Sequence, residues 1–172
     1  TETRFNVIKN SLTSLEKNIK NSEYEIYVVV VVDGPIPEKH ITILNNFDFN
    51  LYFKTENGGV ARIKNTSIRL LLEQNIDIGF LADDDVLYKK NFLQPYVNSI
   101  VKGNIPHMGY CQVPEKVHPR NEWGKMGYIK TNYNGIEVMK HGGKSVGCWL
   151  SFTPELIKKI GYFKVMDGKY GY

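Results

Sequence analysis

Cysteine is scarce in this 172-residue chain, which holds two, Cys111 and Cys148. Their spacing matches neither a metal knuckle nor a redox pair. That excludes a disulfide-built scaffold and a thiolate zinc site, and leaves two buried, reduced thiols as the expectation. The histidines His40, His107, His118 and His141 are scattered and form no zinc-ligand pattern. No apolar run approaches the roughly 20 residues that a bilayer crossing needs, and no signal-type leader opens the chain. The valine run from Val28 to Val32 suits a buried strand instead. Repeats and low-complexity linkers are absent, and the formal net charge is only +4, with dispersed basic residues. Such a surface would accept an acidic small ligand but makes no nucleic-acid footprint. A cytoplasmic location is the expectation.

What is present is the composition of one soluble globular domain, 42% hydrophobic and 23% charged, long enough to bury a core. Phe5, Ile8, Leu12, Leu15 and Ile19 recur every three or four residues, one face of an amphipathic helix. Tyr24 to Val32 reads as a strand covered on both faces, ending at Asp33-Gly34-Pro35. Pro37 to Asn46 reads as a short helix and Leu51 to Lys54 as a strand. A loop at Asn57-Gly58-Gly59 leads to a helix carrying Val60, Ile68, Leu71 and Leu72. Ile76 to Leu81 reads as a third strand, Phe92 to Val101 as a helix and His107 to Val113 as a strand. This alternation predicts an α/β fold with a mostly parallel sheet flanked by helices. From Pro114 to Gly135 periodicity gives way to an aromatic-containing loop region. Gly147 to Phe152 is strand-like, and Pro154 opens a short helix that stops before Gly161.

In open α/β sheets, ligands bind at the carboxyl ends of strands. Two acidic groups fall there: Asp33, and Asp83-Asp84-Asp85 directly after the third strand. Alternate carboxylates on a tight turn can share one hard cation, a diphosphate supplying its other oxygens. Read blandly, such a triplet is a solvated turn ahead of a helix. Its placement after a buried strand favours the cation, which offsets the mutual repulsion of the acids. Gly142-Gly143-Lys144-Ser145 is no phosphate loop, because Val138 stands where that motif needs its first glycine.

These residues, in this order, resemble glycosyltransferase family 2, which has the GT-A fold. Thr3-Arg4 and Ser14-Leu15 lie where the family places the helix after its first strand. Val31-Val32-Asp33-Gly34 looks like its second-strand acid. Gly59 to Asn65 is similar to its Gly-x-Ala-x-Ala-Arg-Asn helix start, with Lys64 in the arginine place. Phe80-Leu81-Ala82-Asp83-Asp84-Asp85 looks like its Asp-x-Asp signature. Gly147-Cys148-Trp149, through to Ile160-Gly161-Tyr162-Phe163, is similar to its acceptor-side segment. The family's first strand would precede Thr3, and the acid pair that carries its catalytic base has no counterpart after Gly171-Tyr172, so the chain reads as an excerpt of a longer protein. Asp167 is a poor substitute base.

The resemblance implies one domain over 1–172, with a nucleotide-sugar-binding half (1–113) and an acceptor-side half (114–172). It implies metal-assisted, inverting transfer of a sugar, hexosyltransferase-like, from a nucleoside diphosphate, with uridine diphosphate expected, to a glycan or lipid-linked acceptor. Polysaccharide biosynthesis is the implied setting, and peripheral membrane contact is compatible with it. Thr3, Arg4, Asp33, Lys64, Asn65, Asp83 and Asp84 would hold the nucleotide sugar, and Asp83 and Asp85 a manganese or magnesium ion. Trp149 is expected on the acceptor side, with Trp123, Tyr128 and Tyr133 as further sugar-stacking candidates. The competing readings are a nucleotidyltransferase of the same fold, a magnesium-binding receiver-type signalling module and a sugar-binding relic. The first would carry a glycine-rich loop that Thr3-Arg4 does not offer.

Overall fold

Phe5 and Leu12, one apolar face of the opening helix, are buried in a computed structural model that describes residues 2–20, 22–54, 56–110, 127–141 and 146–165. That helix is α1 (Glu2–Ile19). It is followed by β1 (Val29–Asp33), α2 (Glu38–Leu44), β2 (Asn50–Lys54), α3 (Gly59–Leu72), β3 (Gly79–Ala82) and α4 (Gln94–Val101). Then come β4 (His107–Tyr110), β5 (Tyr128–Tyr133), β6 (Ile136–His141), β7 (Val146–Phe152) and α5 (Pro154–Ile160). The local chemistry of α5 is typical of how these elements are bounded. Thr153 caps its start by accepting from the Leu156 amide at 3.3 Å, Pro154 opens it, and Gly161 leaves it at φ 80°. An L side chain would be strained in that last conformation.

β1 pairs with β2 in parallel, Val29 opposite Asn50 through Asp33 opposite Lys54. β7 lies between β3 and β4 and is antiparallel to both. β5 and β6 form an antiparallel hairpin. The expectation of a mostly parallel sheet is therefore corrected. The alternating helices and strands do return β3 and β4 in one direction, since each is antiparallel to the same neighbour. They are not bonded to each other because β7, arriving late in the chain, occupies the position between them. Among the described residues, no ladder joins β1 to β3.

The core gathers Ile68 and Leu71 of α3, Leu81 of β3, Leu150 and Phe152 of β7 and Ile157 of α5, with Val29, Leu72 and Ile76 packed against it. Burying each such side chain contributes about 1.5–3 kcal/mol before entropy is counted. α3 bridges the two sheets and sets their directions. Its first residues meet the carboxyl end of β1 at Asp33, Lys64 in its second turn reaches Asp83 just past β3, and the amino-terminal ends, Val29 and Ile76, lie by its far end. Both strands thus aim their carboxyl ends toward the same half of α3.

Two further expectations change. The strand expected from Tyr24 begins only at Val29, because β2 offers ladder partners from Asn50 onward. Its residues are half-buried throughout rather than covered on both faces. The region expected to be loop up to Gly135 contains β5. Its signal was Asn134-Gly135, with φ 48° and 84°, the positive pair that a type I′ hairpin turn requires.

Candidate functional site at the carboxyl end of β3

The chain leaves β3 at Ala82 and turns through Asp83, Asp84 and Asp85. Three interactions hold that turn. The Asp83 amide donates to the Cys148 carbonyl of β7 at 2.9 Å. Two turns of α1 hold its far end, where the Ser14 hydroxyl accepts from the Tyr88 amide at 3.0 Å and the Asn18 amide donates to the Tyr88 carbonyl at 3.0 Å. Neither Ser14 nor Asn18 was expected to support the site. No local pattern could reveal them, since their partners are backbone atoms far away in sequence.

The acids face cations from two helices. Arg4 of α1 donates to Asp84 through Nη2 and to Asp85 through Nη1, the latter at 3.4 Å. Lys64 of α3 pairs with Asp83 at 3.4 Å. All three carboxylates are about half exposed, so they remain within reach of a solvent-borne ligand. Partial burial raises the Asp84 pKa above the ordinary carboxylate value; Arg4 opposes the shift, and the charges of Asp85 and Asp83 add to it. The phenol of Tyr88 is pushed far up as well, by burial and by the nearby Asp83 charge.

Arg4, Lys64 and the acidic turn line a cleft of about 1800 Å³ between α1, β1, α3 and β3. Trp149 also lines it. Its position opposite Ala82 in the β3–β7 ladder puts the indole beside the acidic turn. The ring is buried among Phe80, Tyr88, Phe92 and Tyr96, with centroids 5.0 to 5.8 Å away. Its Nε1–H has no hydrogen-bond partner among the described residues, a costly state for a buried donor.

Asp33 reaches the cleft, but both its oxygens are engaged by the protein. Oδ1 accepts from Lys54 Nζ at 2.9 Å and from the Gly58 amide at 3.0 Å, and Oδ2 accepts from the Gly59 amide at 3.0 Å. Burial pushes its pKa up, yet the Gly58 amide, Lys54 and the Gly59 amide together hold it below the ordinary value. The carboxylate thus caps α3, where negative charge is favoured. Asn65 bonds the backbone of Phe163. Thr3 falls in α1, and its side chain lies outside the described residues, as do Trp123, Asp167 and Gly171-Tyr172. Tyr128 and Tyr133 sit on the β5–β6 hairpin, Tyr128 against the ring of His141 at 4.5 Å.

Chemically, the turn offers hard oxygen donors suited to magnesium, manganese or calcium. Among the described residues, no three His, Cys, Asp or Glu side chains converge on one metal position. A cation here would therefore take part of its coordination from its ligand. Among the described residues, no helix is long and apolar enough to cross a membrane.

No family model matches the chain, and no solved structure matches it. Over an alignment that covers 98% of its length, it is 41% identical to a protein of Acanthamoeba polyphaga mimivirus named as an uncharacterized glycosyltransferase. The chain spans 62% of that relative's length.

Proposed function

We propose that this chain is the donor-binding part of a glycosyltransferase of GT-A type, one that transfers a sugar from a nucleoside diphosphate with the help of one divalent cation. The observation that carries the reading is the acidic turn at the end of β3, met by Arg4 and Lys64 where it lines a large cleft. The similarity to a protein named as a glycosyltransferase supports it. Asp85 and Asp83 would hold a manganese or magnesium ion, which offsets charge on a departing diphosphate. Arg4, which pairs with Asp84 and Asp85, and Lys64, which pairs with Asp83, would supply positive charge for the phosphate oxygens, which the planar guanidinium fork suits. Asp33 acts here by fixing the amino end of α3, whose position sets that of Lys64. Trp149, buried among aromatic rings, would shape the wall beside the acidic turn rather than bond the sugar through its N–H. Uridine diphosphate is the proposed carrier, and a glycan or lipid-linked hydroxyl the proposed acceptor.

Calorimetric titration of uridine diphosphate, with and without manganese, tests the reading. Binding is expected only with manganese, and it should vanish in Asp85→Asn and weaken in Lys64→Ala. If uridine, guanosine and thymidine diphosphates all fail to bind the wild type with either metal, the reading falls.

A further inference from the structure

Lys64 and Asn65 are neighbours on α3, and a helix turns about 100° between consecutive residues. Gly59, Ile63, Lys64 and Ser67 line the cleft, which leaves Asn65 on another flank. There its carboxamide makes two bonds to one backbone unit. Nδ2 donates to the Phe163 carbonyl at 2.9 Å, and Oδ1 accepts from the Phe163 amide at 2.9 Å. The pair reproduces the reciprocal bonding of two strands using a side chain. Phe163 follows Gly161, where α5 ends at φ 80°, and residues 161–165 have neither helix nor strand geometry. Tyr162, Phe163 and Val165 are 49%, 42% and 42% exposed, so apolar burial does little to fix this segment. The two Asn65 bonds fix its backbone instead, across 98 residues of sequence.

We propose that Asn65 is a positioning residue that registers segment 162–165 to the turn of α3 from which Lys64 reaches Asp83, and that it makes no contact with the nucleotide. The inference rests on the donor-site reading for its functional consequence, whereas the tie itself does not. One rigid helical turn then carries both the cation that meets the acidic turn and the anchor of the segment leaving α5. Occupation of the site by a metal–diphosphate is felt at Phe163 through that turn.

Amide hydrogen exchange at Phe163 and titration of uridine diphosphate with manganese test this on wild type, Asn65→Ala, Asn65→Asp and Lys64→Ala. Asn65→Ala should speed exchange at Phe163 by about tenfold or more while leaving nucleotide affinity within about threefold of wild type. Asn65→Asp keeps the acceptor and loses the donor, so its exchange rate should fall between the two. Lys64→Ala should do the reverse of Asn65→Ala, weakening nucleotide binding and leaving unliganded Phe163 protected. Saturating nucleotide should slow Phe163 exchange further in wild type and not in Asn65→Ala. Unchanged exchange in Asn65→Ala, a loss of affinity there equal to that of Lys64→Ala, or no nucleotide effect on wild-type Phe163 would each overturn the proposal. If no nucleotide binds the wild type at all, the donor-site reading fails and takes the coupling with it. The exchange rates of the unliganded variants then decide the tie alone.

Discussion

Both oxygens of Asp33 are committed inside the protein, to Lys54 and to the first amides of α3. Its folded-state pKa is depressed. The stabilisation is therefore complete above the unfolded-state pKa and drains away as pH falls through the folded-state value. Asp33→Ala is expected to cost about 1–3 kcal/mol near neutrality. That difference from wild type, read from urea unfolding at several pH values, should shrink below about pH 4. Asp84 has the opposite sign. Its pKa is raised, so its charged form is disfavoured by the fold and the strain is relieved on acidification. Asp84→Asn should accordingly raise the melting temperature at pH 7, with a gain that fades toward acid pH. A stability gain at a position proposed to bind ligand would be a common trade. At this scale the acidic turn was legible because it follows an apolar run directly, whereas Arg4 was legible only through the resemblance. Ser14 stood out only within the family's helix pattern and Asn18 not at all: a side chain that bonds a distant carbonyl or amide leaves no periodic trace.

Gly79 opens β3 where a Cβ would stand 2.1 Å from the Phe152 ring. That close approach lets β7 lie flat on β3 and present the Cys148 carbonyl to Asp83. Gly79→Ala is expected to cost about 1–3 kcal/mol by overpacking, measurable by denaturant unfolding, and to weaken nucleotide binding along with stability. At the β5–β6 turn the expectation has another cause. Gly135 has open space around it but φ 84°, so Gly135→Ala should cost about 1 kcal/mol through backbone strain alone. Amide exchange should show the loss confined to residues 128–141. Most helices and strands were legible within a few residues, because their apolar spacing is set by the same faces that pack. β6 was not, and in β5 the alternation of Ile129, Thr131 and Tyr133 with Lys130 and Asn132 is short and abuts a loop-like stretch. Only the Asn134-Gly135 turn marked the pair.

Strand direction and strand pairing separate at the level of the whole molecule. Alternating elements predicted the direction in which β1 to β4 run, but not that β7 would return between β3 and β4. Pairing of that kind depends on a late segment finding a distant slot, and local sequence carries no record of it. On the other side of β3 lies the cleft, with the valine strand on one wall. Among the described residues β1 bonds to β2 alone, so its other edge carries backbone donors and acceptors with no ladder. Five valines in a row, uncharged and strongly β-forming, on an edge open to a cleft, make a template for strand addition. The proposed donor cleft and this open strand edge therefore share a wall. Concentrated solutions should form thioflavin-positive aggregates seeded by β1, and a lysine in place of Val30 should suppress them.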